Sequence, residues 1–303
     1  MAKSKVAVVG SYAVGLFMRT ARAPMPGETV EGKEYTEFHG GKGSNQAVGC
    51  ARLGAESTFL VCVGSDSAGD KAVSLYETES VNIDWVIRHS TLPTGVGFII
   101  VDEAGENQIA VDFGANRALK PADVQAHREV IKASGAVVVQ MEIPVSTAME
   151  AMKVGRDCGV ITVLNPAPYQ TVESGWQNVD VITPNQSEAR LILGLAPDSD
   201  TRTEELAKGI RDKGVGAVVM TLGAEGAYVD SDSFTGAIPG RSVDVVDTTG
   251  AGDAFAAAIT TSLAEGAELR DAVAFAVVAG SLAVTKYGVI PALPFRSEVE
   301  GGL

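Results

Sequence analysis

Val246-Asp247-Thr248-Thr249-Gly250-Ala251-Gly252-Asp253-Ala254-Phe255 is the stretch from which the rest of the chain is read. An apolar, β-branched stretch around Val243 and Val246 precedes it. Ala-rich sequence without Pro follows over residues 255–263. The glycines therefore fall where a turn feeds a helix N-terminus. Small residues there let backbone N–H groups approach a ligand closely, and the helix dipole favours negative charge. The stretch reads as an anion site, with phosphate the usual anion. A carboxylate in such a place, Asp253, repels the anion unless it has a chemical task. The task that fits is accepting the proton of a hydroxyl that attacks phosphorus. Taken alone, Gly-x-Gly-Asp is equally a capped helix behind a flexible turn.

The 303 residues suffice for one large domain or two small ones, and 46% hydrophobic with 20% charged residues is a globular composition. With 24 Lys and Arg against 38 Asp and Glu, the net charge of −14 argues against nucleic-acid or anionic-membrane partners. Residues 1–10 read as charged and apolar in strand-like order, not as a signal peptide, and no apolar run has membrane-spanning length. Cys50, Cys62 and Cys158 are few, odd in number and widely spaced. They read as free thiols in a reducing cytoplasm, without zinc spacing.

Residues 5–10 form an apolar run ending in Gly10, a first buried strand. Gly10 and Gly15 have P-loop spacing, but Leu16 stands where that motif needs Lys, and Tyr12 breaks a dinucleotide fingerprint. Pro24-Met25-Pro26-Gly27 is a stiffened loop leading to weak alternation over 34–39. Gly40-Gly41-Lys42-Gly43-Ser44-Asn45-Gln46 opens a helix that stops at Gly54. Residues 57–63 read as a strand. Residues 94–101 and 107–113 are β-rich runs joined by a hairpin signal, Asp102-Glu103-Ala104-Gly105-Glu106. With residues 12–39 they make a small sheet. Beyond them strand and helix alternate: strands at 136–140, 159–164, 179–182 and 217–221, helices at 145–156, from Gln186, and at 203–213. That alternation specifies a mainly parallel sheet with helices on both faces, where ligands gather at the C-terminal strand ends. Glu142, Asn165, Asn185, Gly223 and Asp253 fall just after such strands, or at the helix start after one. No linker or repeat divides the chain.

Asp-Thr-Thr-Gly-Ala-Gly-Asp resembles, without a gap, the C-terminal signature of the ribokinase-like (PfkB) carbohydrate kinases. Gly-Gly-Lys-Gly-x-Asn at Gly40–Asn45 resembles their N-terminal signature. The resemblance runs over nearly the whole chain and is most like the ribokinases of that family. It implies a ribokinase-like three-layer α/β sandwich in a single domain, 1–303, with segments near 12–39 and 94–113 as a β-sheet lid. It implies ATP-dependent phosphorylation of a sugar hydroxyl, with a nucleoside kinase and a catalytically silent sugar- or nucleotide-binding regulator as the alternatives. Asp253 becomes the base, and Gly250, Ala251 and Gly252 the cradle for the transferring phosphoryl group. Gly41, Lys42, Asn45 and Glu142 line the sugar pocket.

Asn185 and Glu188 spell a helix capping box. In the family, Asn-x-x-Glu organises magnesium and phosphate, with Glu188 reaching the ion directly or through water. Thr221, Gly223 and Gly226 resemble a segment that, with Asn185 and Gly252, holds ATP phosphates and ribose. The segment Ala283 to Gly288, including Lys286, resembles the family segment that borders adenine. It supplies carbonyls to a potassium activator whose site Asp247 and Thr249 complete. The resemblance also leaves room for a homodimer through the lid. One departure bears on substrate. Family ribokinases read Gly-Ser-x-Asn-x-Asp after the first strand, the Asn and Asp holding sugar hydroxyls. Here Ala13 and Gly15 stand in their places, so ribose is expected to be a poor substrate, and Tyr12 and His39 are candidates to contact whatever replaces it.

Overall fold

Val6 and Val8 of the first strand, β1 (Lys5–Val9), turn into one apolar core, while Ala7 and Val9 turn into another. A strand apolar on both faces needs cover on both, and helices provide it. The computed structural model describes residues 3–303. In chain order the further strands are β2 (Ala13–Thr20), β3 (Gly32–Gly40), β4 (Glu56–Gly64), β5 (Val86–His89), β6 (Gly95–Val101) and β7 (Asn107–Asp112). They continue with β8 (Ala136–Val139), β9 (Ile161–Leu164), β10 (Val181–Ile182), β11 (Ala217–Thr221), β12 (Gly226–Asp230) and β13 (Thr235–Pro239).

Nine strands form the large sheet in the order β13-β12-β11-β10-β9-β8-β1-β4-β5. All of its pairings are parallel except β11–β12 and β12–β13. The helices Lys42–Arg52, Ala251–Ala264 and Leu269–Ala283 bury one face. Val145–Asp157, Gln186–Ile192 and Thr203–Arg211 bury the other, giving three layers. The remaining strands form a small sheet, β3-β2-β6-β7, beside the sandwich.

Strand order places the site. From β1 the chain crosses to β4 and β5 on one side, and from β8 it crosses to β9, β10 and β11 on the other. The connections leave β1 and β8 in opposite directions, so a crevice opens at their C-terminal ends. Gly10-Ser11 leaves β1 there, and Gln140-Met141-Glu142 leaves β8.

Two features depart from expectation. The β-branched stretch before the anion turn is irregular: residues 241–248 carry no strand, and Val245 and Val246 are exposed. The β12–β13 hairpin was also unforeseen, since Thr235-Gly-Ala-Ile-Pro has little apolar alternation. Among the described residues no helix is long and apolar enough to cross a membrane, and the three cysteines are free.

Candidate active site

Gly250 adopts φ 84°, a left-handed conformation open to glycine, and the helix Ala251–Ala264 starts directly after it. Ala251 N–H donates to Thr248 O at 3.3 Å, while the next N–H groups of the first turn, those of Gly252 and Asp253, have no intrahelical acceptor. Asp253 stands in that first turn yet is only 4% exposed. Such burial is tolerable because amides hold the carboxylate. Asn45 Nδ2 donates to Oδ2 at 2.8 Å and Gln46 Nε2 donates to Oδ1 at 3.0 Å. Gln46 is itself fixed: its Nε2 also reaches Asn165 Oδ1 at 3.2 Å, and Gln140 Nε2 donates to its Oε1 at 2.6 Å. The ends of β8 and β9 thus orient the carboxylate through two amide side chains. Gln46 and Gln140 were not singled out from sequence, where nothing marks Gln46 as the partner of a residue 207 positions away or Gln140 as its support 94 positions on.

The helix Lys42–Arg52 begins at Lys42, behind Gly41 at φ 89°. A Cβ on Gly41 would lie 2.6 Å from Tyr12 Cα, and one on Gly43 would lie 2.3 Å from Ser11 N. These glycines let the helix start press on the chain leaving β1. Glu142 Oε2 ties the contact together, accepting from Ser11 Oγ at 2.5 Å and from Lys42 N at 2.8 Å. The Asp253 carboxylate raises the Lys42 ammonium above the usual lysine range; burial opposes this, and Glu142 and Glu188 add to it. Lys42 therefore stays charged. Asn45 Oδ1 is buried without a partner among the described residues, and an unpaired buried carbonyl costs roughly 1–3 kcal/mol. A ligand hydroxyl would relieve it.

On the other side of Asp253 lies a cavity of about 720 Å³. Thr221, Gly223, Gly226 and Gly252 border its polar end, and Val243, Phe255 and Val277 its apolar end. An open, partly apolar slot reaching an anion turn suits a nucleotide. A further cleft of about 400 Å³ lies at the far tip of the small sheet, lined by Arg19, Lys33, Glu34 and Asp102. Two of its charges pair, Arg19 with Glu34 at 2.9 Å, and it does not adjoin Asp253.

Asn185 and Glu188 do form a capping box: Glu188 N donates to Asn185 Oδ1 at 2.8 Å and Asn185 N to Glu188 Oε2 at 2.9 Å. Burial raises the Glu188 carboxyl, Asn185 N–H and Lys42 lower it, and Asp253 raises it further. Asp247 accepts from Thr249 N at 2.9 Å and Gly288 N at 3.2 Å. Burial pushes its carboxyl up, but these hydrogen bonds outweigh that and hold it below the usual range. It forms no ion pair among the described residues. Ala283 is buried at a helix end, whereas the Lys286 side chain turns outward to Glu298 at 2.9 Å.

An arginine unnoticed in the sequence braces this region. Arg52 makes a bidentate pair with Glu79 at 2.6 and 2.8 Å, and its Nη1 donates to the carbonyls of Ile290 and Leu293 at 2.7 and 2.8 Å. The segment so held includes Val289, which packs against Gly250.

A buried carboxylate set between a glycine turn at a helix start and a polar cluster is compatible with phosphoryl transfer. Residues 3–296 match the pfkB family carbohydrate kinases. The chain belongs to the pfkB family of carbohydrate kinases. The activity that goes with this membership is ATP-dependent phosphorylation of a sugar hydroxyl. This pfkB kinase is 34% identical to the ribokinase of Haemophilus influenzae, covering 98% of its own chain and 97% of the relative's. It is 36% identical to the bifunctional ribokinase/ribose-5-phosphate isomerase A of Fructilactobacillus sanfranciscensis over 97% of its own chain, and spans 55% of that longer protein. The structure of Arabidopsis thaliana ribokinase complexed with ribose and ATP superposes with a TM-score of 0.89, at 28% identity, covering 99% and 98% of the two chains.

Proposed function

We propose that this kinase transfers the γ-phosphoryl group of ATP to the hydroxyl of a small sugar bound against Gly41, Lys42, Asn45 and Glu142. The observation that carries this is the placement of Asp253, at the anion turn and in the amide cradle of Asn45 and Gln46 at once. The two amides aim the carboxylate, so it meets the hydroxyl without reorienting. It takes the proton as the oxygen attacks phosphorus, and the first-turn N–H groups stabilise the charge on the transferring group. Lys42 adds positive charge beside the same point. Thr221, Gly223, Gly226 and Asn185 border the nucleotide. The chain works as one domain, with the small sheet closing over the sugar and excluding water.

Magnesium fits Glu188, whose raised carboxyl sits near Lys42 and Asp253 and keeps one oxygen outside the capping box. The ion would neutralise phosphate charge. Potassium fits the turn around Asp247, a charged carboxylate balanced only by backbone N–H groups, with Thr249 and the carbonyls of Ala283, Lys286 and Gly288 nearby. Potassium is expected to raise the rate by stiffening the turn that carries Gly250. Equal rates in sodium-only and potassium buffers remove this role. The exposed Phe98, Ile109 and Val111 of the small sheet support a homodimer through the lid, which light scattering tests. The reducing, cytoplasmic setting rests on the three free thiols.

An ATP-consumption screen across pentoses, hexoses, ketoses and nucleosides tests the assignment as a whole. Turnover with a free sugar supports it. Turnover confined to nucleosides makes the protein a nucleoside kinase of the same fold, and binding without turnover makes it a regulator.

A further inference from the structure

Tyr12 and His39 do not reach the pocket. Tyr12 is fully buried, packs edge-on against Tyr76 and has its hydroxyl 2.9 Å from His39 Nδ1. Because side chains alternate across a strand, the neighbour of His39 in β3, Phe38, turns to the opposite face. Its cross-strand partner there is Gly15. A Cβ on Gly15 would lie 2.3 Å from Phe38 Cε2 and 2.5 Å from Cζ, so the ring fills the space that a side chain at Gly15 would take.

The strand register locates this pair. β3 ends at Gly40 and passes at once into Gly41 and Lys42. The row beside that turn is Gly40, Ala13 and Gly95; the next row out is Phe38, Gly15 and Gly97. Among these six residues Phe38 is the one large side chain. It is half-buried and lies outside both cores. The space above the rows is open at Gly97, where a Cβ meets nothing nearer than 3.8 Å, and at Gly40, where it meets only Ala13 O at 3.4 Å; at Gly95 it is closed, a Cβ there lying 2.6 Å from Asn116 Nδ2. β3 also packs against the helix Val289–Ala292, which adjoins Gly250.

We propose that Phe38, seated on Gly15, is the specificity wall of the sugar pocket and selects an acceptor whose edge at this wall is apolar, a deoxygenated sugar. This rests on the sugar-kinase reading above. A ring face offers a hydroxyl no hydrogen-bond partner, while a C–H edge packs on it favourably. Apolar walls reject an added hydroxyl by about 10²-fold at most, so the preference is graded. The side chain that vacates a polar position, Gly15, is the one whose space the ring takes. An Asp cannot be restored there while Phe38 remains.

The test compares D-ribose with 2-deoxy- and 3-deoxy-D-ribose by calorimetric affinity and, separately, by kcat/KM. In the wild type one deoxy sugar is expected to bind about 10- to 100-fold more tightly than ribose. Phe38→Ala should cut that ratio at least tenfold. Gly15→Asp alone should bind every sugar poorly, because its side chain meets the ring. Phe38→Ala/Gly15→Asp should regain binding and favour ribose. Ribose as the tightest ligand of the wild type overturns the proposal, as does a ratio that Phe38→Ala leaves within twofold, or no binding by any of the three. Failure of the kinase reading looks different: the affinity ratios follow the pattern while no acceptor supports ATP consumption.

Discussion

Asp253→Asn is expected to lower kcat about 10²- to 10⁴-fold while ATP still binds. The substitution removes the proton acceptor and leaves the anion turn in place. It also sets a new amide against two amide donors, Asn45 Nδ2 and Gln46 Nε2. An Asn offers one acceptor oxygen where Asp offered two, so one donor loses its partner or its own amide turns over. Some loss of thermal stability should therefore accompany the loss of rate. Steady-state kinetics with ATP affinity by calorimetry separates the effects. A variant that keeps more than about a tenth of wild-type kcat contradicts the assignment of Asp253 as base.

Gly250→Ala is expected to cost about 10²-fold in kcat. A non-glycine residue in the left-handed region is strained by roughly 1–2 kcal/mol. Its Cβ would also lie 2.6 Å from Val289 Cγ1, so the turn or the helix Val289–Ala292 has to shift. A displacement of about 1 Å at reacting groups is enough for such a loss. Gly252→Ala is the informative contrast. A Cβ there meets no protein atom within 4 Å and points into open space at the cavity edge. Its melting temperature should stay near that of the wild type while its KM for ATP rises. If both variants lose only stability, with kinetics per folded molecule unchanged, the turn is a structural cap and not a phosphate cradle.

Local pattern carried most of the fold. Val137, Val138 and Val139 of β8, or the apolar run of β1, can only be strands covered on both faces, and their alternation with helices leaves a parallel sheet. The two glycine turns were legible for the same reason: Gly250 and Gly41 stand where a backbone must bend left or come close. What stayed hidden is pairwise. Gln46 reads as a surface amide after a glycine turn, and only the closed sheet brings Gln140, Asn165 and Asp253 to it. Arg52 reads as the last polar residue of a helix, whereas it is a nearly buried cation with four anchors. Phe38 was invisible because Gly15 looks like a loss until the ring across the strand is seen to fill it.

The Arg52 brace sets an order of events during synthesis. Residues near the start, Asn45, Gln46 and Arg52, wait for partners more than two hundred positions later: Asp253, and then Ile290 and Leu293. An arginine paired with Glu79 and lacking its two carbonyls leaves a nearly buried charge short of acceptors. A growing chain that has completed β1 to β13 thus owns a sheet but no phosphoryl-transfer turn. Such long-range closure is slow. The same logic makes the exposed linker at Tyr287 a point where one proteolytic nick is expected to loosen the segment that packs against Gly250.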